Sequence, residues 1–117
     1  MTSILQKVVD VLNDTKAINI NAIPVSNLTP LTDYMIIATG TSTTHIHALA
    51  DRILKSLKSL SLKPKGIEGK RGEDWILIDL GDIVVHLMLP QARDFYNLDK
   101  LWALNDFGEN NKMLAMA

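Results

Sequence analysis

The chain has no cysteine. That excludes a disulfide framework, thiolate zinc sites and thiol catalysis, and it fits a reducing compartment. Long apolar runs are missing too: none approaches the ~20 residues of a membrane span. Neither sign of charge prevails, with 12 basic and 13 acidic residues and a net charge of −1. No global field draws in nucleic acid or a membrane surface, so any RNA contact must be local. Aromatic residues are scarce, at 5%. The opening Met-Thr-Ser-Ile-Leu-Gln-Lys lacks the basic-then-apolar order of a signal peptide. Together these absences set the expectation of a cytoplasmic bacterial protein.

What is present is one domain's worth of chain: 117 residues, 47% hydrophobic and 21% charged. Residues 3–16 carry Ile4, Leu5, Val8, Val9 and Leu12 at helical spacing, with Ser3 as cap. Residues 18–25 alternate as a strand, and Pro24, which donates no ladder bond, confines that strand to a sheet edge or ends it. An edge can pair with another chain, so it is a candidate oligomer contact. Residues 33–39 form an almost continuous apolar run, the pattern of a strand buried on both faces. After Gly40-Thr-Ser-Thr-Thr44, residues 44–60 place Ile46, Leu49, Ala50, Ile53, Leu57 and Leu60 on one helical face. A short strand is expected at 67–69 and a short helix at 91–96 behind Pro90. The order is α-β-β-α-β-β-β-α: an α/β fold, a mixed sheet with helices mainly on one face. Residues 1–104 form the domain, and residues 105–117, without periodicity, read as a flexible tail.

Residues 75–89 read as two strands joined by a tight turn. Centring the turn on Leu80-Gly81 pairs Asp79 with Asp82, Leu77 with Val84 and Trp75 with His86. One face is then aliphatic. The other carries Trp75, Leu77, Asp79, Asp82, Val84, His86 and Met88, and a sheet covered by helices on one side does not account for it. Trp75 on this face fits either an interface centre or a second small core under the C-terminal helices.

Several constellations invite chemistry. Gly40–Thr44 precedes a helix and could bind an anion, but the Walker pattern needs a second glycine and a lysine. Hydroxyl capping of the helix explains it better. Asp79 and Asp82 could hold Mg²⁺, with Glu68 as a third carboxylate, although aspartate also favours turns. His45 and His47 point about 200° apart on a helix, so they cannot share a metal, and His86 lacks ligand partners in the sequence. No metal site or cofactor is expected. Lys63, Lys65, Lys70 and Arg71 could touch a phosphate backbone, though such a loop is more often solvated.

The segments Asp33-Tyr-Met-Ile-Ile-Ala-Thr-Gly-Thr-Ser42, His45, Ala50-Asp51, Glu68-Gly69, Trp75 through His86 and Tyr96-Asn-Leu-Asp-Lys-Leu-Trp102 resemble the Iojap family of ribosomal silencing factors (RsfS). Asp99 stands where that family usually has Glu, and the polar tail lies outside the family pattern. The resemblance implies a nucleotidyltransferase-like fold without the catalytic site, and a binding protein rather than an enzyme. It implies docking on the large ribosomal subunit through ribosomal protein L-fourteen, blockage of small-subunit association, and repression of translation under nutrient limitation. It also implies a homodimer. It marks Trp75 and Tyr96 as partner-binding residues. The residues add Glu68, Leu77, Asp79, Asp82 and Met88 on the same face. The competing reading is a metal-dependent nucleotidyltransferase using Asp79 and Asp82. A minor ribosomal RNA contact through the Lys63 to Arg71 loop completes the partner expectation.

Overall fold

A computed structural model describes residues 3–69 and 73–100. The expected tail, Trp102, Lys70 and Arg71 lie outside the described residues. The elements are α1 (Ile4–Asp14), β1 (Ile18–Pro24), β2 (Tyr34–Thr39), α2 (Thr43–Ser59), β3 (Gly66–Glu68), β4 (Trp75–Asp79), β5 (Ile83–Met88) and α3 (Pro90–Tyr96), in the order read from the sequence. They build one mixed sheet of order β1-β2-β5-β4-β3. Only the β2–β5 pair is parallel. The parallel pair requires a crossover, and the stretch carrying α2 supplies it.

The helices form because their apolar residues recur every third or fourth position and their ends are capped. The Ser3 hydroxyl accepts from Gln6 N–H at 3.1 Å, and Ser42 does the same for His45 N–H at 3.1 Å. Val8 and Leu12 of α1 and Ile46, Leu49, Ile53 and Leu57 of α2 are buried. They pack on Ile36, Ala38, Ile76, Ile78, Val85 and Leu87. Each fully buried aliphatic side chain in this layer contributes roughly 1.5–3 kcal/mol.

The opposite face is thinner. Met35, Ile37 and Met88 form a smaller cluster with Val25, Ala92 of α3 and Leu98. The 33–39 run is thus buried on both faces, as its composition implies: β2 is sealed from Met35 to Thr39. By contrast β4 alternates, with Ile76 and Ile78 buried and Trp75, Leu77 and Asp79 half-buried. Pro24 ends β1, which is an edge strand. A bulge between Ile18 and Asn21 is taken up at Asn19, whose φ of 52° suits asparagine better than a branched residue.

The hairpin register differs from the one expected. Asp79 pairs with Val84, Leu77 with His86 and Trp75 with Met88. The turn is Leu80-Gly81-Asp82-Ile83, closed by Leu80 N–H to the Ile83 carbonyl at 2.8 Å. Gly81 has φ +90° and stands first of the two central residues, where a two-residue hairpin turn accommodates glycine. The Asp79 carboxylate accepts from Gly81 N–H at 2.8 Å and fixes the arrangement. Moving the turn by one residue moves each partner by two. The strand residues therefore keep their faces and exchange their neighbours. Asp82 alone leaves the mixed face, because it belongs to the turn.

Candidate functional site

The mixed face carries an aromatic series. The Trp75 and Tyr96 rings lie 4.7 Å apart at 50°, and Phe95 meets Tyr96 edge-on at 5.0 Å. Phe95 is 81% exposed and Tyr96 44%. On its other side Trp75 tilts against the imidazole of His86 at 5.5 Å, and its indole N–H donates to His86 Nδ1 at 2.9 Å. A cleft of about 570 Å³ opens beside these rings. Glu68, Glu73 and Asp74 supply its acidic rim, and Trp75, Leu77 and Tyr96 its apolar wall. Glu68 reaches the cleft because it pairs with Leu77 across β3 and β4 and so shares its face. Gly69 follows with φ +112°. A Cβ there would stand 2.6 Å from the Trp75 carbonyl oxygen, so the backbones approach this closely only with glycine.

Tyr96 is held by a polar lock that sequence reasoning missed. Arg93 grips Asp99 through two parallel hydrogen bonds of 3.1 and 2.9 Å. The same guanidinium donates to Thr39 Oγ1 at 2.9 Å and to the Asn19 carbonyl. Asn21 donates to Asp99 at 2.9 Å. Burial alone would raise the Asp99 pKa, but the Arg93 and Asn21 hydrogen bonds and the Arg93 charge more than offset it, leaving the carboxyl below its ordinary range. The partners come from β1, β2 and α3, so no local spacing announces them. The only hint in the sequence is Asp99 within the Tyr96-to-Trp102 segment.

The other expected residues separate. Met88 is fully buried beside Trp75, its cross-strand neighbour, so it supports the face from within the smaller core cluster. Asp79 stays on the face, but its carboxylate is engaged in the turn. Asp82 is exposed at the turn and lines a different cleft, with Asp33, Tyr34 and the start of α1. Its carbonyl accepts from Asp33 and Tyr34 N–H at 2.9 and 3.0 Å. Grouping Asp82 with Trp75 and Leu77 is therefore corrected, because Asp82 belongs to the turn rather than to a strand. Among the described residues no group of three or more His, Asp or Glu side chains is placed to hold a metal. The Gly40 loop is spent on packing: a Cβ at Gly40 would lie 2.9 Å from Ile46 Cγ1. His45 Nδ1 accepts from Thr41 N–H at 2.9 Å, and its Nε2 bonds the Thr15 carbonyl at 2.8 Å, tying α2 to the end of α1. Lys63 and Lys65 are exposed, and Lys65 runs across Gly81.

The arrangement is an acid-rimmed aromatic cleft. The model of the family described as ribosomal silencing factor during starvation matches residues 1–115. The chain belongs to this family. The match runs through most of residues 105–117, a stretch set apart above from the family pattern. The chain is 38% identical over 103 residues to ribosomal silencing factor RsfS of Zymomonas mobilis, covering 88% of this chain and 77% of that protein. It is also 38% identical over 114 residues to mitochondrial assembly of ribosomal large subunit protein 1 of Mus musculus, spanning 95% of this chain but half of that longer protein. A crystal structure of a protein from Chromobacterium violaceum superposes with a TM-score of 0.82 at 39% identity, covering 86% of this chain and 83% of that one. The expected α/β fold is thus shared with a solved structure.

Proposed function

We propose that this chain is a ribosome-associated silencing protein that binds the large ribosomal subunit through the Trp75 face and thereby keeps the small subunit from joining. The observation that carries the reading is the acid-rimmed aromatic cleft on the thinly covered sheet face. Its partner on the subunit is ribosomal protein L-fourteen, and its effect is to repress translation when nutrients are limiting. The place of action is the cytoplasm. The names of relatives support the general direction: one is a ribosomal silencing factor, another takes part in assembly of the ribosomal large subunit.

The chemistry fits a protein partner of basic character. Trp75, Leu77 and Tyr96 offer desolvated contact, and Glu68, Glu73 and Asp74 offer charge complementarity at the rim. Asp79 extends the face beyond Leu77, and Met88 backs Trp75. Asp82 takes part only where a footprint reaches round the turn. The silencing is stoichiometric, not catalytic. The nucleotidyltransferase alternative has no observation in its favour, because the Asp79 carboxylate caps the turn and Asp82 lines another cleft. The chain also forms a homodimer in this reading, with the β1 edge as one available contact. The test is sucrose-gradient fractionation of extract from starved cells. The chain is expected with free large subunits. A chain that stays at the top of the gradient contradicts the proposal.

A further inference from the structure

The Trp75 ring is half-buried, yet its only polar atom is turned inward. His86 receives that N–H at Nδ1, and His86 is 2% exposed between Ile37 on β2 and Leu77 on β4. Because Nδ1 accepts, the ring proton sits on Nε2. Nε2 is buried and has no hydrogen-bond partner among the described residues. A buried donor left unpaired is destabilising, because it has given up its water without replacement. A leucine at position 86 would avoid that cost, since its two cross-strand neighbours, Ile37 and Leu77, are aliphatic. The one hydrogen bond of the His86 ring among the described residues is the one Nδ1 accepts from Trp75.

We infer that His86 is the positioning residue of the docking face: its buried Nδ1 holds the Trp75 indole by its N–H, so that the ring meets a partner already fixed between His86 and Tyr96. The inference rests on the reading that Trp75 is the docking anchor. Fixing an anchor before binding removes an ordering cost from the encounter. It also turns the indole donor away from the partner, so recognition uses the ring's apolar surface. Desolvation lowers the His86 pKa from 6.5 to about 4, so at neutral pH the imidazole remains neutral and Nδ1 remains an acceptor.

The test pairs an indole signature with binding to isolated large ribosomal subunits. The chain's two tryptophans give two indole N–H resonances, and Trp75→Phe assigns them. In wild type the Trp75 indole N–H is expected to exchange slowly with solvent. His86→Leu is expected to lose that protection and to bind about threefold to tenfold more weakly, the scale of one hydrogen bond. His86→Asn, whose amide oxygen falls near Nδ1, is expected to restore both. If His86→Leu does not fold, His86→Gln takes its place, since its amide reaches towards Nε2 rather than Nδ1. Retained protection in the folded Leu or Gln variant overturns the inference. So does lost protection with unchanged binding, provided Trp75→Ala binds more weakly. If Trp75→Ala also binds unchanged, the docking reading fails and the inference falls with it.

Discussion

Arg93 and Asp99 stand six residues apart in sequence and clasp across the loop that follows α3, with Tyr96 between them. The Nη2 to Oδ2 distance is 2.9 Å, and the same guanidinium reaches Thr39 and the Asn19 carbonyl on β2 and β1. A short helix of seven residues, with its N-terminus uncapped by any side chain, is thereby fastened to the sheet.

Arg93→Ala is expected to destabilise the fold by about 1–3 kcal/mol, because it leaves the partly buried Asp99 without its charge-assisted bonds. It should also free Tyr96 from Trp75, which hydrogen exchange across residues 90–100 would report as faster opening. Exchange in this stretch equal to wild type would show that the lock does not hold α3.

Two groups make stability fall in acid, in different windows. His86 has a folded pKa of about 4 against an ordinary 6.5. The unfolded chain takes up that proton first, so the contribution is complete above 6.5 and erodes as pH falls towards 4. Its full size is at most roughly 3–4 kcal/mol, at 1.36 kcal/mol per pKa unit. Asp99 has a lowered carboxylate pKa. Its contribution is present above the ordinary carboxylate range and is lost as pH falls through the lowered value. Denaturant unfolding as a function of pH should show both, and His86→Asn should flatten the upper window alone.

Gly69→Ala is expected to cost more than Gly81→Ala. At Gly69 the added carbon meets the Trp75 carbonyl oxygen at 2.6 Å, and backbone cannot step aside as a side chain does. At Gly81 the nearest atom is Lys65 Cε at 3.1 Å, the flexible end of a side chain, and the cost is chiefly the positive φ, about 1–2 kcal/mol. Thermal unfolding of the two variants decides the order. The Gly69 variant should also shift the Trp75 indole resonance, whereas the Gly81 variant should leave it in place.

Ile53→Ala opens a cavity in the helix-covered core and is expected to cost about 2–5 kcal/mol. The mutated side lies across the sheet from Trp75. Subunit binding by the folded fraction should therefore be unchanged, and reduced binding per folded molecule would show that the two faces are coupled.

Much of the fold was legible because it rests on local rules. Helical spacing, the Ser3 cap, hydroxyl capping of α2 from the Gly40–Thr44 stretch, the sealed run of β2 and the edge position marked by Pro24 all follow from neighbours in sequence, although the capping hydroxyl proves to be that of Ser42. The hairpin faces were legible too, since alternation survives a shift of the turn. Its register was not. Leu80-Gly81 and Gly81-Asp82 are both plausible turn centres, and the Asp79 carboxylate bond to Gly81 N–H selects the second. That choice removed Asp82 from the face. The cleft was half legible: Trp75, Leu77 and Glu68 could be named, while the Arg93–Asp99 lock and the sealed state of Met88 depend on tertiary contacts between α3, β1 and β5. The bond between Trp75 and His86 joins residues that alternation puts on one face, but the shifted register makes it diagonal rather than directly cross-strand.

In the proposed function the Trp75 face docks on the large ribosomal subunit. The most direct measurement is a subunit-joining assay titrated with wild-type chain and with Trp75→Ala, folding being verified by circular dichroism. Removing an anchoring tryptophan costs at least about 2 kcal/mol, so the variant should need roughly thirtyfold more protein to block joining. A folded Trp75→Ala that blocks joining at the wild-type concentration would show that Trp75 does not anchor the docking.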